Sequence, residues 1–523
     1  MVTQATPGKT TVAQAAPAPK PTPPLFAVNG YFRAYDFTRQ NASNNLGFQY
    51  APPPAKYNYN AVNQSSFEAA LSLHAGFNFG GFNIGGTYLF ADPLGTCDLL
   101  TDNFKGLPCI SRIPPNTNPD NTLPGYQLAT FYEAYAGYCE HPTCTGSGLY
   151  ARVGNQVINT PWANASDSRV KPAAFQGADV SYTWGPWTLE GMDMWAFQSR
   201  VSSFFVRDTL LTGYPPTGNT GLGGNNTLPG NVHFASNDPF GFIPTDGFWF
   251  GRIGYSGHSG LTGDVDYYAV QNIANMLWID GKYAWRGFVK PFVAIQIGNE
   301  NNAGASVLGR IDSQMYGVQA GLNIMPQVQL VAGFDDLPWH SDNVTLPTGV
   351  SCSSTTHQLH IPTPANGYYA YPYLIPNNTS QCVPGATPGT VTVFYGGWAS
   401  PYTDSYATDP MFTTTMTQGV ADRHIAGPSY KEALVFTSAD HRFAGLISHA
   451  DYDATNAGDT LGAEWSSENN IDGLYYVMPV HPGQRYRGLL LRYRYGERFF
   501  TNTKIYGGAP LFKYNRAQLE YDF

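Results

Sequence analysis

The segment SSFEAALSLHAGFNFG, residues 65 to 80, alternates too regularly and for too long to be an ordinary strand. Phe67, Ala69, Leu71, Leu73, Ala75, Phe77 and Phe79 share one parity. Glu68, Ala70, Ser72, His74, Gly76 and Asn78 share the other. Successive side chains of a strand point to opposite faces, so the segment has one continuous apolar face and one small or polar face. The apolar face is about seven positions long, near what a tilted strand needs to cross a bilayer. A whole strand in a soluble sandwich usually has only about 5–6 residues. Gly80-Gly81 makes a tight turn, and Phe82, Ile84, Gly86, Tyr88 and Phe90 resume the pattern.

The pattern recurs along the chain. Leu149, Ala151 and Val153 alternate with Tyr150, Arg152 and Gly154, and Leu277, Ile279, Gly281, Tyr283 and Trp285 alternate with Trp278, Asp280 and Lys282. Tyr316, Val318, Ala320, Leu322 and Ile324 form another such face, followed one short turn later by Val328, Leu330, Ala332 and Phe334. Leu489, Leu491, Tyr493 and Tyr495 alternate with Leu490, Arg492 and Arg494. Arginine opposite an apolar face suits a watery lumen better than a dry core, where it would need a partner. About eighteen strands fit the template. They are expected to start near residues 26, 66, 82, 126, 149, 178, 187, 248, 262, 276, 288, 311, 327, 430, 441, 469, 486 and 512.

The connectors alternate between long and short, the longest running from about 198 to 247 and from about 336 to 429. Short turns on one side and long loops on the other mark an outer-membrane barrel. The expected fold is therefore all-β: a transmembrane antiparallel barrel with short periplasmic turns and long extracellular loops, in the bacterial outer membrane. Closure follows from the solvent, because every backbone N–H and C=O in hydrocarbon needs an internal partner. The even strand count puts both chain ends on the periplasmic side.

Composition agrees. Charged residues make up 12% of the 523 residues and aromatics 15%, with 56 glycines. The charged share is about half that of a soluble globular chain. A formal charge of −9 and the lack of a basic run argue against nucleic acid as a partner. No stretch is apolar for the length of a membrane-spanning helix. Residues 1–24 are rich in Ala and Pro and read as a flexible tail, with no charged-then-apolar leader visible. Residues 25–523 are read as the barrel with inward-folded loops. At the other end, RAQLEYDF places Leu519, Tyr521 and Phe523 at steps of two. That resembles the terminal signal read by the barrel assembly machinery, one expected partner beside outer-membrane lipid and a small-molecule solute. Periodicity leaves monomer and trimer both open.

Six cysteines fall into local pairs: Cys97 with Cys109, Cys139 with Cys144, and Cys352 with Cys382. Disulfides in an oxidising compartment are the expectation, with free thiols or a metal site as the alternative. Catalytic motifs are nearly absent. GYSGHSG, residues 254 to 260, does not complete a nucleophile elbow and reads as a turn. GLGG at 221 to 224 lacks the flanking strand and helix of a phosphate loop. His357 and His360 lack a clear third ligand. No enzyme activity and no cofactor are expected. The alternatives are a barrel enzyme or a surface adhesin using the long loops.

One stretch differs from its surroundings: VGNQVINTPWANASDSRVKPAAFQG, residues 153 to 177, a charged loop after the fifth strand. It resembles the signature of the OprD family of outer-membrane porins, in Arg152, Gly154, Thr160, Pro161, Asp167, Arg169, Pro172, Phe175 and Gly177. GGWASPYTDSYATDPMFTTTMTQG, residues 396 to 419, resembles that family's long seventh loop, and ENNIDGLYY and RGLLLRYRYGER resemble its closing strands. The cysteine pairs, the tail and the insertions around 99–120 and 340–390 depart from it.

The resemblance implies an eighteen-stranded channel with a third loop folded into the lumen and a ladder of basic residues passing small carboxylate-bearing solutes. Carried over, Arg152, Arg169 and Lys171 belong to the constriction, and Arg492 and Arg494 to the matched closing strand. Arg33 and Arg442 join from parity alone. Asp167 and Glu133 are expected either to hold the loop or to meet a cationic end of the solute. The alternative for each is a structural salt bridge. Guanidinium groups suit carboxylates because they bind them in a bidentate fork.

Overall fold

The computed structural model describes residues 25–42, 62–92, 94, 117–118, 127–141, 147–165, 169–200, 202–207, 246–304, 306, 311–345, 351–352, 359–360, 381–385, 389–403, 409–416, 426–453, 465–477, 488–500 and 511–523. Eighteen of its strands close into one antiparallel barrel. In chain order, β1 to β6 are Phe26–Ala42, Val62–Phe79, Phe82–Asp92, Leu128–Cys139, Gly148–Gln156 and Ala174–Trp184. Next, β7 to β12 are Trp187–Gln198, Phe248–Ser256, Leu261–Val270, Ala274–Ala284, Phe292–Asn302 and Asp312–Met325. The last six, β13 to β18, are Val328–Leu337, Gly427–Thr437, Phe443–Asp453, Trp465–Tyr476, Gly488–Phe500 and Leu511–Asp522. Each strand pairs with its chain neighbours, and β1 pairs with both β2 and β18, which closes the sheet.

The alternation sets which face is which. On β2, Phe67, Leu71, Leu73, Phe77 and Phe79 are exposed, whereas Glu68 and Ser72 are 1% exposed. The outward side chains therefore form an apolar belt. Aromatic rings gather at its turn side, among them Trp184, Trp187, Tyr255, Tyr283 and Trp285, all exposed or partly so. An apolar band with an aromatic girdle is what a lipid-facing barrel wall requires. Gly80 and Gly81 have φ of 55° and 91°, the positive values that a two-residue hairpin turn of the right twist demands.

Three sequence expectations need adjustment. β11 begins at Phe292 rather than near 288, because residues 285–291 form a turn ending at Pro291, with Lys290 at φ 37°. β2, β6 and β16 begin some four residues earlier than their alternation suggests. The long–short rule breaks between β9 and β10, where only Gln271 to Ile273 connect the strands. Asn272 takes φ 61° there, and Ile273 is wholly buried among residues of the lumen, so the connector is a tight inward corner.

Inside the barrel lies a second structure. Residues 157–165 and 169–173 of the connector after β5, here called loop 3, turn into the lumen. So does the stretch of residues 396–403 and 409–416 from the long connector after β13, here called the strap. Together they bury an apolar cluster that includes Trp162, Phe175, Trp278, Trp398 and Tyr402. Beside the strap, His340–Thr345, Thr390–Tyr395 and Gln381–Pro384 make a small antiparallel sheet. The Cys352–Cys382 disulfide ties this sheet to the strand Ser351–Cys352. Cys139 is also disulfide-bonded. Cys97, Cys109 and Cys144 lie outside the described residues.

Candidate functional site: the lumen constriction

Loop 3 is fastened to both sides of the lumen. On the β1 side, the Tyr31 hydroxyl donates to Val170 O at 2.9 Å and an Arg33 guanidinium nitrogen donates to Arg169 O at 2.7 Å. On the β9–β10 side, the Trp162 N–H donates to Tyr268 Oη at 3.1 Å, and the Trp162 and Trp278 rings meet edge to face at 5.1 Å. In an eighteen-stranded ring these walls are half a circuit apart, so the loop spans the lumen.

The residues expected in the constriction fall into three groups. Arg33, Arg492 and Arg494 stand on the lumen wall near the β1–β18 seam. Arg33 Nε donates to Glu520 Oε2 at 2.6 Å. Arg492 grips Asp472 with two bonds of 3.0 and 2.7 Å, and Arg494 Nε adds a third at 2.9 Å. Arg516, which the sequence reading did not single out, belongs with them. It stands directly across from Arg494, and its guanidinium lies 4.5 Å from the Tyr35 ring centroid. These four guanidiniums outnumber the three carboxyl groups beside them, Glu520, Asp472 and the buried Glu68 opposite Tyr35, so the seam wall carries an excess of basic groups. The signal for Arg516 was in the closing segment, where Arg516, Gln518 and Glu520 share the parity opposite Leu519 and Tyr521.

Arg169 and Lys171 belong to the body of loop 3. Arg169 is 1% exposed, with its guanidinium 4.8 Å from the Phe37 ring centroid. Lys171 is wholly buried, and its ammonium donates to Ser199 O at 2.7 Å, Pro172 O at 3.0 Å and Gln198 Oε1 at 3.2 Å. Burial pushes this amine well below the ordinary lysine value. Its geometry is that of a fastener for the loop. Asp167 lies outside the described residues.

Glu133 and Arg152 line the wall of β4 and β5. Glu133 Oε2 accepts from Thr87 Oγ1 at 2.5 Å, and Thr87 is in turn 2.8 Å from His74 Nδ1. Arg152 lies 3.9 Å over the Tyr135 ring and opposite Asp179 in register. Arg442 stands apart, at the turn between β14 and β15, where it bonds Tyr476 O and Val477 O. Parity alone could not place it along the pore axis. A further group went unnoticed in the sequence: Arg252 on β8 bonds Asp266 at 2.6 and 3.0 Å and Glu190 at 3.4 Å.

Among the described residues no cluster of His, Cys, Asp and Glu has the arrangement of a metal site. His357 and the His360 side chain lie outside the described residues.

Comparison with solved structures gives the fold a name. The structure of OccK9 (OpdG) from Pseudomonas aeruginosa is 13% identical, with a TM-score of 0.59, and the match covers 95% of this chain and 98% of that one. A BenF-like porin from Pseudomonas fluorescens Pf-5 matches at 12% identity and a TM-score of 0.61 over the same shares. OccK2 (OpdF) from Pseudomonas aeruginosa, solved in complex with glucuronate, matches at 11% identity and a TM-score of 0.55, again covering 95% and 98%. No family model matches the chain, and no curated protein matches it. The shared feature is the fold: a closed eighteen-stranded antiparallel barrel, as found in porins.

Proposed function

We propose that this chain is an outer-membrane channel for passive diffusion of small carboxylate-bearing solutes. The observation that carries the reading is the guanidinium patch of Arg33, Arg492, Arg494 and Arg516 beside a loop that crosses the lumen. Fixed charges in a narrow aqueous passage act at close quarters and set which ions pass. Arg492 and Arg494 keep 12% and 6% of their side chains accessible, whereas Arg33 and Arg516 lie beneath the surface, so the buried pair acts on a passing carboxylate through its weakly screened field rather than by contact. One apolar core, shared by loop 3 and the strap, lies along β7–β10, β12, β13 and β15, and a second packs Val170 of loop 3 against Tyr35, Phe37 and Tyr514 at the seam, so the guanidiniums border a passage that loop 3 narrows. Glucuronate, bound by one protein of the same fold, is a carboxylate and fits this chemistry.

The test is single-channel recording of the purified, folded protein in a planar bilayer under a salt gradient. The expected result is small discrete openings with an anion-favouring reversal potential that weakens in Arg494→Ala. Cation preference would keep the channel but overturn the carboxylate assignment. Silence from folded protein would overturn the channel itself and bring forward a barrel enzyme or an adhesin.

A further inference from the structure

We infer that loop 3 and the strap form one rigid insert, and that Asp335 and Glu300 on the opposite wall are positioning residues that set where it sits. Strands β11 to β15 each place a side chain on the strap. Glu300 on β11 accepts from the Ala399 N–H at 2.8 Å, and Gln296 on the same strand donates to Pro410 O at 2.7 Å. Ser313 on β12 donates to Gly397 O at 2.5 Å. Asp335 on β13 takes both the N–H and the hydroxyl of Thr413 on one oxygen, each at 2.7 Å. Ser429 on β14 lies 2.7 Å from that hydroxyl, and Tyr452 on β15 donates to Thr413 O at 2.7 Å.

Buried backbone groups must be paired, and among the described residues no strand pairs with the strap at Thr413 or Ala399. The two carboxylates supply the acceptors that a neighbouring strand would. Both are wholly buried, so losing either one strands an N–H where water does not substitute.

The other side of the strap carries the constraint to loop 3. Tyr402 and Ala163 form a parallel bridge. The Tyr402 ring itself packs on the barrel wall, 5.0, 5.4 and 5.8 Å from Phe248 of β8, Phe197 of β7 and Phe175 of β6, so the ring contact with loop 3 is made by Trp398. Trp398 lies 5.0 Å from Trp162. Moving either segment alone would open this aromatic interface to water, so the two move together or stay put. Asp335 and Glu300 then act together with loop 3's own fastenings on β1, β7 and β9 in fixing the width left beside it.

The inference rests on the channel reading for one readout only. Two variants, Asp335→Ala and Asp335→Asn, are made in an Ala163→Cys/Tyr402→Cys background, which gives up the Tyr402 wall contacts but keeps the Trp162–Trp398 contact between the two segments, and are checked for the heat-modifiable gel migration of a folded barrel. The first readout is the rate at which the 163–402 disulfide forms under mild oxidant. The second is single-channel current before and after that disulfide closes. Asp335→Ala is expected to slow crosslinking severalfold and to make the reduced channel noisier and more conductive, roughly twofold. Asn keeps an acceptor for Thr413 and restores the parent behaviour, and closing the disulfide in Asp335→Ala does the same. Crosslinking at the parent rate in Asp335→Ala overturns the inference, as does excess current that persists once the disulfide is closed. If the parent passes no current, the channel reading fails while the crosslinking rate still decides this one.

Discussion

Arg494 and Arg516 share one register position of β17 and β18 on the lumen wall, and their guanidiniums turn to opposite neighbours, Asp472 on β16 and Tyr35 on β1. Like charges directly opposite in a sheet are destabilising, by about 0.2–1 kcal/mol relative to a neutral pair. Arg494 is held by Asp472, whereas the Arg516 guanidinium is spread over Tyr35. Such an arrangement is poor for folding and good for a field. Arg494→Gln should therefore leave barrel stability unchanged or slightly raised while lowering anion preference. Arg494→Lys should keep most of the preference, because charge sets the field, and lose discrimination among carboxylates, because the fork is gone. Reversal potentials and denaturant titrations of the three proteins check both halves.

Lys171 gives a pH dependence with a definite sign. Burial lowers its folded value, so the unfastened loop binds the proton more tightly than the seated one. Seating of loop 3 should strengthen as pH rises from that lowered value towards the ordinary lysine value of about 10.4, and be weakest below the window. Protease cleavage within loop 3, followed across alkaline pH, should slow as pH rises. Lys171→Met removes the titration and leaves the Ser199, Pro172 and Gln198 acceptors unpaired, at a cost of about 1–3 kcal/mol. Its cleavage should be faster throughout and flat with pH.

At Gly298 the backbone of β11 meets the ring of Trp398 on the strap. A Cβ there would stand 2.8 Å from two atoms of the Trp398 ring and 3.2 Å from Trp278. Overpacking of this kind costs about 1–3 kcal/mol. Gly298→Ala should push Trp398 off its seat, detected as a shift in tryptophan fluorescence and a looser insert, with the barrel strands intact by circular dichroism.

Much of this architecture is readable from residue order, and the reason is the solvent on each side. Lipid outside and water inside force period-two alternation, so eighteen strands and the lumen parity of Arg492 and Arg494 stand out without coordinates. Loop interiors obey no such rule. Nothing in the spacing of Lys171 distinguishes a pore-facing amine from one buried on Ser199 O, and Arg442 shows that a lumen-side parity means little at a turn. Asp335 and Glu300 are invisible for another reason. Their partners, Thr413 and Ala399, lie 78 and 99 residues away, and local pattern carries no information about which strap backbone meets which wall.

The outward belt itself makes the sharpest distinction between a membrane barrel and a soluble one. Val265 lies mid-strand on β9, 43% exposed, between Ile253 and Ile279 in register. On a soluble surface Val265→Arg would change stability by within about 0.5 kcal/mol. In hydrocarbon near the midplane an arginine on a barrel's lipid face costs about 2–4 kcal/mol. The neighbouring lumen position, Asp264, already carries a charge, so the penalty should be specific to parity: Asp264→Arg should cost far less. Denaturant titration of both variants refolded into lipid vesicles measures the difference. A large penalty at residue 265 alone is expected. Equal, small effects at both positions would mean that the belt does not face lipid.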